Sequence, residues 1–275
     1  MIELIQITNN ADLTQICDQV EGVRVFVDLE KNGKAERQKG HDTFISTHRL
    51  EDVGRIKALL KRAKLMVRVN PYQAGNPAAC QLEVDQVLAQ GADLLMLPMF
   101  TQAAELQAFA RLVAGRAPIV ALLETAGALQ SLDDWADTPG LFEIFIGLND
   151  LHLSLACRFM FEPLLLGHVD RVAAAAKQRG LRFGFGGIAR MDEGVLPGLD
   201  VLAEHVRLGS GAVILSRTFN RVDAQAGKNS FQQAVAALRV AELELGLRSL
   251  ELVEKDRLRT AGLIRELAEA ARVAA

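Results

Sequence analysis

The sequence predicts an α/β chain folded as a (β/α)8 (TIM) barrel with extra C-terminal helices. Eight short, β-rich apolar runs recur along it, and amphipathic helical segments lie between them. The turn after the first run, Asp28-Leu-Glu-Lys-Asn-Gly33, lacks the G-x-G-x-x-G that a doubly wound open sheet would place there. Runs that are almost continuously apolar suit a parallel sheet covered on its outer face, and eight is the count at which such a sheet closes.

The predicted strands are Val23–Val27, Thr43–Ile45, Leu65–Val69, Leu94–Leu97, Ile119–Leu123, Ile144–Ile146, Phe183–Phe185 and Val213–Leu215. Helical spacing marks Leu50–Ala63, Cys80–Gln90, Gln102–Ala114 and Val169–Arg179. In the second of these Leu82, Val84, Val87 and Leu88 approximate helical spacing, and Gly91 supplies the stop. Beyond the last strand the pattern changes to two helices, Phe231–Leu245 and Leu250–Val273. The second carries Leu252, Val253, Leu258, Leu263, Ile264 and Leu267 as an apolar stripe. The expected organisation is a barrel over 1–230 followed by C-terminal helices over 231–275. Those helices either pack on their own barrel or reach a neighbouring subunit.

A length of 275 residues allows two small domains or one of roughly 250 residues, and the eight runs favour one. At 50% hydrophobic and 24% charged, the chain buries enough apolar surface to exclude intrinsic disorder. Its formal net charge of −3 offers no basic excess for a phosphate backbone, so nucleic acid is not expected as a partner. Cys17, Cys80 and Cys157 are odd in number and widely spaced, which argues against a disulfide framework or zinc cage and fits a reducing compartment. Met1–Gln6 has no basic n-region, and the longest apolar run, Leu94–Phe100, falls far short of the ~18 residues a membrane span needs. The expectation is a cytoplasmic protein without membrane contact.

In a parallel barrel the chemistry sits at the C-terminal ends of the strands. Those ends carry Asp28, Glu30, Arg68, Asn70, Pro98, Glu124, Asn149, Asp150, the Gly184–Gly187 turn and Ser216 with Arg217. Glu124 and Asp150, on consecutive strands, suit a hard cation such as Mg²⁺ or Mn²⁺, since no His or Cys accompanies them. Each can equally cap the helix that follows, as Thr125 and Asn149 can. Arg68, inside Val67-Arg-Val69, either points to the catalytic mouth, where its fork binds a carboxylate or a developing enolate, or pairs with a structural carboxylate such as Asp28. Three glycines in Phe183–Arg190 suggest exposed backbone N–H groups for an anionic substrate end. On this reading Gly186, Gly187 and Arg190 touch substrate, although glycines also serve ordinary strand-to-helix turns.

The five histidines form no ligand cluster. His41 and His48 flank the predicted second strand and are candidate bases. His152 stands two residues from Asp150 and either orients it or contacts substrate, while His168 and His205 look like helix-associated residues. No lysine has a convincing place deep in the mouth, which argues against a Schiff base.

Four segments, Val67–Asn70, Gly91–Pro98, Leu122–Thr125 and Ile144–Ser154, resemble in order and spacing the HpcH/HpaI aldolase and citrate lyase β-subunit family, over roughly residues 22–216. The resemblance implies a phosphoenolpyruvate/pyruvate-type barrel that makes or breaks carbon–carbon bonds with a divalent metal, Mg²⁺ or Mn²⁺, with Co²⁺ as a further option. Glu124 and Asp150 take the positions of its metal-ligating carboxylates, and Arg68 that of the residue holding the keto acid and stabilising its enolate. Glu30, Asn149 and His152 fall beside them as substrate contacts. The resemblance also implies a homo-trimer or homo-hexamer assembled through the C-terminal helix.

One departure concerns the base. Where the aldolase branch has Asp-Gly-Glu-His, this chain reads Asp28-Leu-Glu-Lys31, nearer the Asp-Leu-Glu-Asp of the citrate lyase branch. His48, His41 or a water at the metal is left to move the proton. The expected activity is metal-dependent cleavage of a 4-hydroxy-2-keto acid to pyruvate and an aldehyde. The alternatives are a citrate-lyase-like acyl-CoA lyase and a non-catalytic metabolite-binding barrel.

Overall fold

The computed structural model describes residues 1–31, 47–221 and 230–274. Eight strands close a barrel in chain order: β1 (Glu3–Ile7), β2 (Val23–Asp28), β3 (Leu65–Arg68), β4 (Leu94–Leu97), β5 (Ile119–Leu123), β6 (Leu141–Ile146), β7 (Arg182–Ile188) and β8 (Ala212–Leu215). Pairs β1–β8, β2–β3, β3–β4, β4–β5 and β7–β8 are all parallel.

The helices are α1 (Ala11–Gln19), α2 (Leu50–Lys57), α3 (Pro77–Ala89), α4 (Ala103–Val113), α5 (Ala126–Gln130), α6 (Leu132–Trp135), α7 (Leu148–Ser154), α8 (Glu162–Leu165), α9 (His168–Gln178), α10 (Gly198–Leu208), α11 (Ser230–Gly246) and α12 (Leu250–Ala274). One 3₁₀ turn spans Arg217–Asn220. Among the described residues no helix is long and apolar enough to cross a membrane.

The strand count of eight holds, but one member differs. Thr43–Ile45, the expected second strand, lies outside the described residues, and the barrel's first strand is Glu3–Ile7. Glu3 and Gln6 break up its apolar pattern. Leu4 and Ile5 are nonetheless wholly buried, and Gln6 is buried with its amide donating to the Ile7 carbonyl at 2.8 Å.

The chain falls into two compact units, Gln6–Phe145 and Met1–Ile5 with Ile146–Ala275. In the first, side chains fix where helices begin. Asn10 accepts the Leu13 N–H at 2.9 Å at the start of α1, and Asn76 accepts that of Ala79 at 3.2 Å before Pro77 opens α3. Asp18 Oδ1 takes three consecutive backbone N–H groups, from Lys61, Arg62 and Ala63, and so anchors the loop leading into β3. Register pairs Phe26 with Met66 and Asp28 with Arg68, so these four side chains share one face of β2 and β3. Further back on the same face Arg24 forks onto Glu143 at 2.9 and 3.1 Å, both side chains at most 2% exposed.

In the second unit β7 is irregular. Its register against β8 shifts between Gly184 and Gly187, and Gly186 has φ of 54°, a left-handed conformation. A Cβ at Gly186 would lie 2.9 Å from Leu148 Cδ1, so the bulge is where β7 receives α7 closely. The glycines expected as a turn after the seventh strand therefore belong to the strand itself.

The C-terminal helix α12 packs against α8 and α10 of its own unit. Its buried face is Asp256, Thr260, Ala261, Ile264 and Ala268; of the apolar stripe read from sequence Ile264 is buried, whereas Leu252 and Leu258 are exposed. Polar clamps set this rotation: Asp200, at the start of α10, accepts from Arg259 Nη2 at 2.6 Å and Nε at 2.9 Å, and Arg248 pairs with Asp256.

Candidate active site

β2 and β3 deliver a charged cluster at their C-terminal ends. Arg68, the last residue of β3, donates from Nε to Asp28 Oδ1 at 2.8 Å and from Nη2 to Asp28 Oδ2 at 2.7 Å, while its Nη1 lies 3.2 Å from Glu30 Oε2. Asp28 and Glu30 are buried, and the Arg68 side chain is 13% exposed. Its guanidinium carbon lies 5.8 Å from the Phe26 ring centroid, the ring that shares its strand face. Burial opposes the charge on Arg68, but Asp28, Glu30 and then Glu124 outweigh it and hold the proton more tightly than usual. This guanidinium is a fixed positive charge, and the pairing with Asp28 is one of the two roles the sequence left open for it.

Backbone hydrogen bonds hold the cluster in place. Leu29 N–H donates to the Arg68 carbonyl at 2.9 Å, and Glu30 N–H donates to Asp28 Oδ1 at 3.1 Å. His48 is buried, and its Nδ1 accepts the Asp28 N–H at 3.1 Å. His41 lies outside the described residues. Asn70 braces the neighbouring loop, its Oδ1 accepting the Lys31 N–H at 2.9 Å and its Nδ2 donating to Glu83 Oε1 at 2.7 Å. Burial raises the Glu83 carboxyl above its ordinary range even though both bonds from Asn70 oppose the rise.

Glu124 follows β5 directly and is 2% exposed. Its Oε1 accepts the Met99 N–H at 3.0 Å, and Met99 presents that N–H from a left-handed conformation with φ of 57°. A non-glycine residue held there costs of order 1–3 kcal/mol, which the surrounding packing must offset. Helix capping falls to Thr125, whose Oγ1 accepts the Ala128 N–H at 3.0 Å and donates to the Phe100 carbonyl at 2.7 Å. Glu124 is therefore not the cap of α5.

In the other unit, Asn149, Asp150 and His152 all ride on α7, directly after β6. No side chain caps this helix at Gly147, and Asp150 stands in its first turn. His152 is buried, with Nδ1 3.2 Å from the Leu148 carbonyl. Since a carbonyl only accepts, Nδ1 carries hydrogen in that contact. The Arg190 N–H donates to Thr218 Oγ1 at 3.1 Å, and its Nη2 donates to the Arg221 carbonyl at 3.0 Å and to Ser230 Oγ at 2.7 Å. These bonds tie the end of β7 to the start of α11.

Among the expected site residues, Glu30, Arg68, His48 and Glu124 form one cluster, Asn149, Asp150 and His152 share one helix, and Gly186 and Gly187 lie in a strand bulge beside it. The Met99 N–H and the Asn70–Glu83 brace were not read from the sequence. Each joins residues from different loops and helices, and neither has a local motif.

Among the described residues, no group of three or more His, Cys, Asp and Glu is arranged to hold a metal ion. The oxygen donors of Glu124 and Asp150 have the hard-ligand character that Mg²⁺ and Mn²⁺ prefer.

The profile of the HpcH/HpaI aldolase/citrate lyase family matches residues 7–189. Among solved structures, the chain is similar to an HpcH/HpaI aldolase/citrate lyase family protein from Burkholderia cenocepacia J2315, with 16% identity, a TM-score of 0.60 and coverage of 88% of this chain and 94% of that one. An HpcH/HpaI aldolase from Desulfitobacterium hafniense DCB-2 also aligns, with 16% identity, a TM-score of 0.58 and coverage of 88% and 93%. The citrate synthase SbnG aligns with 15% identity, a TM-score of 0.58 and coverage of 88% and 94%. At such identities the structural likeness speaks to the fold alone. No curated protein matches the chain.

Proposed function

The chain belongs to the HpcH/HpaI aldolase/citrate lyase family, a family of lyases, and from that premise we propose that it cleaves a 4-hydroxy-2-keto acid to pyruvate and an aldehyde. The observation that carries the reading is the buried Arg68 guanidinium, forked by Asp28 and flanked by Glu30 at a strand end. A cation held this firmly suits a reaction that builds negative charge on a keto oxygen.

In that reaction the 4-hydroxyl loses its proton to a base and the C3–C4 bond breaks. Its electrons form the enolate of pyruvate while the aldehyde departs, and protonation at C3 completes pyruvate. Arg68 orients the keto acid and stabilises the enolate oxygen. A preorganised donor of this kind contributes about 3–4 kcal/mol to the transition state. Asp28 and Glu30 keep the guanidinium aimed without reorganisation during the reaction. His48 accepts from Asp28 with Nδ1, so it exchanges protons with substrate only through Nε2.

Glu124 and Asp150 are the residues we assign to hold a divalent cation, Mg²⁺ or Mn²⁺ with Co²⁺ as a further option. When bound, such a cation supplies Lewis-acid polarisation of the keto group. Asn149, His152, Gly186, Gly187 and Arg190 remain the proposed substrate contacts of the second unit. Assembly as a trimer or hexamer through α12 belongs to the same reading and is supported by the exposure of Leu250, Leu252 and Leu258.

The test is a coupled pyruvate-release screen over 4-hydroxy-2-keto acids with each metal, run beside malyl- and citramalyl-type thioesters. Pyruvate from a free keto acid supports the reading. Turnover of thioesters alone replaces it with the acyl-CoA lyase alternative, and ligand binding without turnover under any metal replaces it with a binding barrel.

A further inference from the structure

The unit formed by Met1–Ile5 and Ile146–Ala275 contains a cavity of about 200 Å³ beneath α12, walled by α8, α9 and α10. No residue lining it is assigned to the lyase reaction. Its volume falls below the roughly 300–1,000 Å³ of pockets for drug-sized ligands, so it suits a small metabolite.

The lining divides by chemistry. Leu164, Leu165, Ala261 and Ile264 give an apolar side, and the charged groups are Asp170, Glu204, Arg207, Arg257 and Arg265. Both carboxylates are already engaged by Arg207, which meets Asp170 at 2.8 Å and Glu204 at 2.7 Å. Those acids raise the hold of Arg207 on its proton against the effect of burial. Arg257 forms an ion pair with Glu254, and with the two side chains 42% and 53% exposed the pair is weak; Glu204 attracts the same guanidinium at longer range. Arg265 has no ion-pair or hydrogen-bond partner among the described residues. It lies eight residues beyond Arg257 on α12, with Ala261 midway, so the two Cα atoms are about 12 Å apart, and both residues line the cavity.

A further positive element faces this lining. The eleven-residue helix α9 begins at His168, after Gly167, which lines the cavity and has no side chain to cap the first N–H groups; Asp170 stands in its first turn. The cavity therefore joins a helix N-terminus and two further arginines to an apolar wall, and its three arginines outnumber its two acids by one positive charge.

We propose that this cavity binds a small organic oxyanion, a carboxylate or phosphate ester with a short apolar body. The anionic head meets Arg257, Arg265 and the α9 N-terminus, and the body lies against Leu164, Ala261 and Ile264. The ligand bridges α12 to α9, so binding also tightens the C-terminal helix on its unit.

The test is calorimetric titration of the full-length protein at constant ionic strength with butyrate, acetate and inorganic phosphate. Wild type, Arg265→Ala, Arg257→Ala, Arg265→Lys and Arg68→Lys are compared, with folding checked by circular dichroism. The expected result is saturable one-to-one binding, tighter for butyrate than acetate. Each alanine variant should weaken it about tenfold or more, the loss of one charge-assisted hydrogen bond. Arg265→Lys should retain part of the affinity and Arg68→Lys all of it. Phosphate binding more tightly than butyrate would assign a phosphate head to the same site. Absence of saturable binding at millimolar ligand, or binding that survives both alanine variants or is lost in Arg68→Lys, overturns the proposal.

Discussion

Arg68 and Asp28 occupy paired positions on adjacent parallel strands and meet through two hydrogen bonds of 2.8 and 2.7 Å. The strand register itself aims the guanidinium, and the second carboxylate, Glu30, is fixed two residues on by its own N–H bond to Asp28. An arginine fork needs this planar two-point match, which a lysine ammonium cannot reproduce.

Replacing Arg68 by Lys keeps the charge and removes the fork. The expected outcome is a loss of about 100-fold in kcat/KM for keto-acid cleavage, carried mainly by kcat, with an unchanged circular dichroism spectrum. A fall in KM-controlled binding alone would place Arg68 in ground-state recognition instead.

Glu124→Gln and Asp150→Asn preserve shape and remove charge. If each carboxylate holds the cation, either variant should need at least about tenfold more Mn²⁺ for half-maximal activity, read by titrating metal into chelator-treated protein. Unchanged metal dependence in both variants contradicts the assignment.

The Arg24–Glu143 pair is buried on both sides. Cutting one partner, as in Arg24→Met or Glu143→Leu alone, should cost about 3–5 kcal/mol in urea unfolding because a charge is left buried. The double variant should recover much of that loss, since two apolar side chains of similar volume carry no desolvation penalty.

Burial drives the His205 imidazole down to about 3, where its ring stacks on Phe185 at 3.8 Å. The unfolded chain binds a proton near 6.5 that the folded protein refuses. The contribution of neutral His205 to stability is therefore full above pH 6.5 and declines as pH falls from 6.5 toward 3, by up to about 1.4 kcal/mol per pH unit. Urea midpoints at pH 7 and pH 5 check this, and His205→Phe should flatten the decline. Asp18 acts in a lower window. Its burial raises the carboxyl, but three backbone N–H bonds outweigh that and leave it below its ordinary value, so its contribution holds above that value and fades as pH drops through the folded one.

The parts of the fold legible in the sequence are those set by local pattern. Strands β3 to β5 and helices α3, α4, α9 and α12 fall within a few residues of their expected bounds, because apolar runs, helical spacing and the stop at Gly91 mark them. Strand β1 escaped because Glu3 and Gln6 interrupt a short run, and Gly186 was misplaced because a bulge and a turn both call for glycine. The buried face of α12 is decided by Asp200 meeting Arg259, a contact spanning 59 positions that no helical periodicity encodes. At the site, the Arg68–Asp28 pairing follows from neighbouring strand ends and was legible. The Met99 N–H on Glu124 depends on an unusual backbone conformation that only the folded chain displays.

The central claim is that this site makes and protonates the enolate of pyruvate, and hydrogen exchange tests it without knowing the aldehyde. The protein is incubated with pyruvate and Mg²⁺ or Mn²⁺ in deuterated water, and the methyl protons are followed by NMR. The account predicts metal-dependent loss of the methyl signal that Arg68→Lys and Glu124→Gln suppress. No exchange by the folded, metal-supplied protein, or exchange indifferent to Arg68→Lys, would contradict it.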